Sequence, residues 1–146
     1  MLGFLFSIIA GAAMSVQGVI NTRLSEKIGL YESNAWVQGT AFLLSAIAFF
    51  FLRKTGWAEL WQGIGGINKF YLFGGAIGLV ITVTVMLSMR HLNPTLAVSS
   101  ILIAQLAVAA LIDAFGWFGA EKVPFSPMKF VALALMVGGV ILFKKF

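Results

Sequence analysis

The run ILIAQLAVAALIDAFGWFG, from Ile101 to Gly119, is made of residues that suit a lipid-facing helix, apart from an amide at Gln105 and a carboxylate at Asp113. Ionisable side chains are costly inside a bilayer, so one found there is a functional candidate by default. With Ala109 between them, the two polar residues fall at i, i+4 and i+8 and share a similar helix face. At 1.5 Å per residue this stripe is about 12 Å long, and it should face protein or a water-filled cavity rather than lipid. Two readings fit Asp113. It is either a carboxylate that reaches the headgroups or bonds a neighbouring helix, or a binding site for a proton or cation. Gln105 lies near the middle of the run and either lines a substrate path or bonds another helix.

A second polar pair, Gln17 and Asn21, sits at i, i+4 in another apolar stretch, and Gln38 lies in a third. Trp36 and Trp117 are candidates for an aromatic wall against a cation. The hydroxyls Thr82, Thr84, Ser88, Ser99 and Ser100 can bond their own helix backbone and are weaker signals. His91 is the single histidine, in a tight loop beside Arg90, and reads as a surface residue. The glutamates fall in loops. There is no phosphate-binding loop, no dinucleotide motif and no metal-ligand spacing, so neither cofactor nor metal is expected. No nucleophile–base pair stands out, so an enzyme is not expected.

These residues need a membrane to position them. Of 146 residues 60% are hydrophobic and only 10% charged, with mean hydropathy +1.00. A soluble domain is nearer half apolar and about one quarter charged. The net charge of +5 comes from basic residues scattered singly or in pairs, which suits membrane flanks and not nucleic acid. With no cysteine there is no disulfide or thiolate chemistry. The opening MLGFLFSIIAGAAMS lacks the basic start of a signal peptide, and its apolar run continues to Asn21, so a retained first helix is expected.

A bilayer core about 30 Å thick needs roughly 20 apolar residues of helix. The stretches 2–22, 34–52, 70–89, 95–118 and 128–143 meet this need, giving an all-α integral membrane protein with five transmembrane helices in a single domain, 1–146. The third and fourth, joined by RHLNP, form an antiparallel hairpin, with Asn93 placed to cap and Pro94 to start a helix. Between the second and third, Trp57, Leu60 and Trp61 at i, i+3, i+4 predict a short amphipathic turn in the interface. Ser7, Gly11 and Ser15, the pair Gly74 and Gly78, and the pair Gly138 and Gly139 are small residues that allow close helix approach. Ordinary packing within the chain and a subunit interface both fit them, with Gly138 and Gly139 the best interface candidate.

Lys and Arg near helix ends set orientation. One side of a five-helix chain carries Arg53, Lys54, Lys69, Lys122 and Lys129; the other carries Arg23, Lys27, Arg90, Lys144 and Lys145. The balance has two readings: either something other than charge fixes orientation, or the chain inserts both ways and pairs with an inverted copy. An inverted pair of chains with an odd helix number reproduces the inverted repeat that many transporters build into one longer chain.

The stretch from His91 to Leu142, with its proline-bearing hairpin and its closing Gly138-Gly139-Val140, resembles the drug/metabolite transporter superfamily. Gly11, Gln17, Asn21 and Leu24, with Gln105, Asp113, Phe115 and Gly116, resemble the signatures of its YdcZ-like family of small five-helix transporters, over nearly the whole chain. Ala104 stands where that family usually has Gly, and Ala114 where it often has His, so no imidazole adjoins the carboxylate. Small multidrug exporters of the superfamily keep their key carboxylate in helix one, where this chain has amides. The resemblance implies a multi-pass transporter of the bacterial inner (cytoplasmic) membrane, often an exporter. It also implies a drug/metabolite-transporter-like half completed by an inverted copy.

Together these readings predict a secondary transporter of a small molecule, working by alternating access as an antiparallel homodimer in the lipid bilayer. Asp113 would be the proton or cation site, with Gln105, Gln17 and Asn21 lining the path. A non-transporting accessory or scaffold subunit, or a channel, is the alternative.

Overall fold

The structure is a computed structural model that describes residues 2–124 and 126–145. Among these residues there are six α-helices: α1 (Leu2–Ile28), α2 (Leu30–Leu52), α3 (Trp57–Gly66), α4 (Gly74–His91), α5 (Pro94–Phe115) and α6 (Pro127–Lys145). A short 3₁₀ turn, Lys69–Phe73, leads into α4, and together they make one of five stretches long and apolar enough to cross a membrane. The other four are α1, α2, α5 and α6. The chain forms two compact units, Met1–Arg90 and His91–Phe146.

In the first unit, α1 packs on α2. The segment expected to be a loop between them is helical on both sides of a single break. Arg23 pairs with Glu26 at 3.1 Å, three residues apart along α1, and the helix continues to Ile28. Gly29 then takes φ 101°, a left-handed backbone that a residue with a Cβ rarely adopts, and the helix breaks there. Its N–H still bonds the Ser25 carbonyl at 3.2 Å, and its carbonyl accepts from the Ser33 N–H at 3.2 Å. The expected interfacial turn is a ten-residue helix, α3, whose Glu59 carboxylate accepts a bond from the Gly56 N–H at 3.3 Å. The Arg53 guanidinium lies 4.2 Å over the Trp57 ring and ties the end of α2 to α3.

In the second unit, α5 packs on α6. Asn93 caps α5 as expected: its side chain accepts from the Leu96 N–H at 2.9 Å, and Pro94 fills the first turn. The other end of α5 stops at Phe115, short of the expected residue 118. Gly116 adopts φ 67°, and its N–H closes on the Ile112 carbonyl at 2.8 Å. A glycine in the left-handed region is the usual way to end a helix. Ser126 then accepts from the Met128 N–H at 3.3 Å at the start of α6.

Burial is inverted relative to a soluble protein. The buried residues include Asn21, Thr22, Ser25, Ser33 and Asn34, whereas the apolar side chains of all five spans are mostly exposed. Lipid is as apolar as Leu, so spanning helices have no hydrophobic reason to hide such side chains from it.

Candidate functional site

In the second unit, α5 and α6 border a partly open cavity of about 250 Å³. Leu106, Ala109, Ala132 and Leu133 give it apolar walls, and Asp113 and Lys129 are its charged residues. Because Gly116 ends the helix early, Asp113 lies in the last turn of α5, and its carbonyl accepts from the Val123 N–H at 2.9 Å. Lys129 is in the first turn of α6. The C-terminal end of a helix carries partial negative charge and favours cations. Lys129 is the basic residue that borders the same cavity. Both side chains are half-buried.

In the sequence Lys129 stands out only as an orienting charge. The one signal that could have found it is its position just after Pro127. In a helix hairpin, the start of the second helix returns to the end of the first. Gln105 is exposed on α5, one residue before Leu106, where the lining of the cavity begins. Trp117 stacks on Phe115, with ring centroids 5.2 Å apart, in the short turn after α5, and is half exposed.

In the first unit, Gln17 and Asn21 share a face of α1, as their spacing requires, and line a cleft of about 50 Å³ with Gly18, Thr82 and Val85. Gln17 is exposed and Asn21 buried. Trp36 is exposed on α2.

Asn21 belongs to a larger group that sequence alone does not reveal, because Ser25 and Ser33 lie in the segment expected as a loop. Thr22 donates to the Gly18 carbonyl at 2.8 Å, Ser25 to the Thr22 carbonyl at 2.8 Å, and Ser33 to the Leu30 carbonyl at 3.0 Å. Ser33 also points at the Met86 sulfur, 3.6 Å away. The Arg90 guanidinium donates to the Ser25 hydroxyl at 3.2 Å and to the Ser25 carbonyl. Asn34 is buried beside them, and its Oδ1 has no hydrogen-bond partner among the described residues.

Within the chain the close helix approach is at Gly18 and not at the glycines singled out in the sequence. A Cβ on Gly18 would stand 2.6 Å from the end of Met89 and 3.3 Å from Val85. At Gly11, Gly74, Gly138 and Gly139 a Cβ would meet nothing within 4 Å, and at Gly78 only Gln38, at 3.8 Å. Ser7 and Ser15 bond back to the carbonyls of Gly3 and Gly11 at 3.0 Å.

Over residues 2–142 the chain matches the family model described as "Putative inner membrane exporter, YdcZ". No curated protein and no solved structure matches it. With five membrane-spanning helices and a family match over nearly its whole length, the chain belongs to the YdcZ family and is an all-α, multi-pass protein of the inner membrane.

Proposed function

We propose that this protein exports a small molecule across the bacterial inner membrane as a secondary transporter, with Asp113 as its proton or cation site. The observation that carries the reading is the placement of Asp113 on a cavity of about 250 Å³ between two spanning helices, in a chain of an exporter family. A carboxylate with room beside it can exchange a proton or a cation, whereas one sealed by packing cannot. Five helices make an odd-numbered unit, and the ten basic residues divide evenly between its two sides. Both features support an antiparallel homodimer working by alternating access. Gly11, Gly138 and Gly139 have open space where a second copy could pack.

In that dimer, inversion returns Asp113 of one copy to the depth of Gln17 and Asn21 of the other. Both Gln105 side chains stay near the midplane, so amides and carboxylate line one path. Trp36 and Trp117 are the aromatic groups available to it.

The test is transport by Asp113→Asn in liposomes, read with an entrapped pH-sensitive dye as metabolites are added. Gradient-coupled flux is expected to fall to the level of empty liposomes while the protein remains monodisperse. Coupled flux equal to wild type removes Asp113 from the mechanism, and flux that never saturates points to a channel. C-terminal reporters should appear on both sides of the membrane, and two added lysines at one end should select a single orientation. A single orientation in the unmodified chain rules out the antiparallel dimer.

A further inference from the structure

We infer that the groove between α3 and the 3₁₀ turn binds an anionic phospholipid, with its phosphate at Lys69 and the upper part of an acyl chain in the groove. The groove is open, measures about 440 Å³ and is lined by Ile64, Gly65, Ile67, Lys69, Leu72 and Phe73. Lys69 is its one charged lining residue and is exposed. α2 ends at Leu52 and the next spanning stretch begins at Lys69, so the segment between them lies at one membrane surface. A groove at that level borders both head groups and acyl chains. The inference uses neither Asp113 nor the transport reading.

Apolarity favours lipid as the occupant, and charge selects its head group. None of the ten residues of α3 is buried, and Trp57, Leu60, Trp61 and Ile64 fall at i, i+3, i+4 and i+7 on one face. A short amphipathic helix left uncovered by protein lies in the interface with that face among the upper acyl chains. Residues 53–73 carry Arg53, Lys54 and Lys69 against a single acid, Glu59. The Glu59 carboxylate accepts from the Gly56 N–H at 3.3 Å, and the Arg53 guanidinium lies 4.2 Å over the Trp57 ring. This surface repels a cationic amphiphile and attracts an anionic phospholipid, by about fivefold in affinity for each nearby Lys or Arg. Gly65 helps to keep the groove open, since a Cβ there would meet nothing within 4 Å.

The experiment is native mass spectrometry of the delipidated chain in detergent, titrated with phosphatidylglycerol and with phosphatidylethanolamine of the same acyl chains. Phosphatidylglycerol should bind about fivefold tighter. Lys69→Gln should bring it down to the level of phosphatidylethanolamine, and Lys69→Arg should retain it. Gly65→Leu adds a side chain to the groove lining and should weaken both lipids, because it removes the apolar seat and not the charge. Lys144→Gln, at the end of α6, should leave both lipids unchanged. Glycerol 3-phosphate, which has the phosphate without the chains, should not compete even in large excess.

Several outcomes overturn the inference. Equal binding of the two lipids, unchanged in Lys69→Gln, removes the head-group contact. An equal loss in Lys144→Gln and Lys69→Gln reduces the preference to net charge, with no site behind it. Full binding of both lipids by Gly65→Leu places them outside the groove. Competition by glycerol 3-phosphate makes the ligand a free phosphate and not a lipid. A chain that carries no lipid but shifts from dimer to monomer in Lys69→Gln makes this face an interface with a second copy.

Discussion

The two units treat polar side chains in opposite ways. Within Met1–Arg90, Thr22, Ser25 and Ser33 are buried and bonded to nearby carbonyls, Arg90 closes on Ser25, and Met89 lies against Gly18. Within His91–Phe146, Asp113 and Lys129 stay half-buried on a cavity with room for a small molecule. Polarity in the first unit is packed between helices and, apart from Asn34 Oδ1, largely hydrogen-bonded. In the second it is left with space in which to act. A polar residue in a membrane helix therefore does not announce its role by type, and the packing around it differs between the two units.

The largest expected effect tests the packed side of this contrast. Gly18→Leu forces a side chain into Met89 and Val85, and overpacking of this kind costs about 1–3 kcal/mol. Gly138→Leu, which meets open space, should change stability by less than about 0.5 kcal/mol. Thermal unfolding of the two variants in detergent measures the difference. Equal losses would mean that Gly138 is as tightly packed as Gly18, by a second copy.

Asn34 comes next. Its buried Oδ1 has no partner among the described residues, so Asn34→Leu should be neutral or raise stability by up to about 1 kcal/mol in the same assay. A clear loss would show that the amide is bonded in the membrane and is active in the packed unit. The bond from Arg90 to Ser25 is of similar size, because the arginine is exposed. Arg90→Gln should lower stability by about 0.5–1 kcal/mol, less at high salt if charge contributes. The smallest effect is expected where the chemistry is proposed. Asp113→Asn should shift the unfolding temperature by the equivalent of less than about 0.5 kcal/mol. A large shift would turn Asp113 into a structural residue and remove the contrast between the units.

Much of the fold was legible because it is local. Apolar runs of spanning length, the Asn93–Pro94 helix start and the shared face of Gln17 and Asn21 each follow from neighbouring residues and helical periodicity. Less of the candidate site could be read. Asp113 was visible as a charge in an apolar run, but its place in the last turn depended on Gly116 adopting a left-handed backbone, two residues before the expected helix end. Ser25, Ser33 and Asn34 looked like loop or helix-start residues because the segment holding them is polar. That polarity marks a buried contact between helices.

By itself the sequence determined that this chain crosses the membrane in five helices, where most of them begin, and that Asp113 is an exceptional charge. Backbone hydrogen bonds within a helix and transfer of side chains into lipid depend on sequence neighbours alone. Only the tertiary structure decided that Gly18 is the point of close approach, that the polar cluster of α1 and α2 is packed, and that Lys129 lines the cavity of Asp113. The reason is physical. In lipid every apolar helix face is equally well solvated, so hydrophobic pattern does not mark which faces meet, and shape and hydrogen bonding between distant residues make that choice.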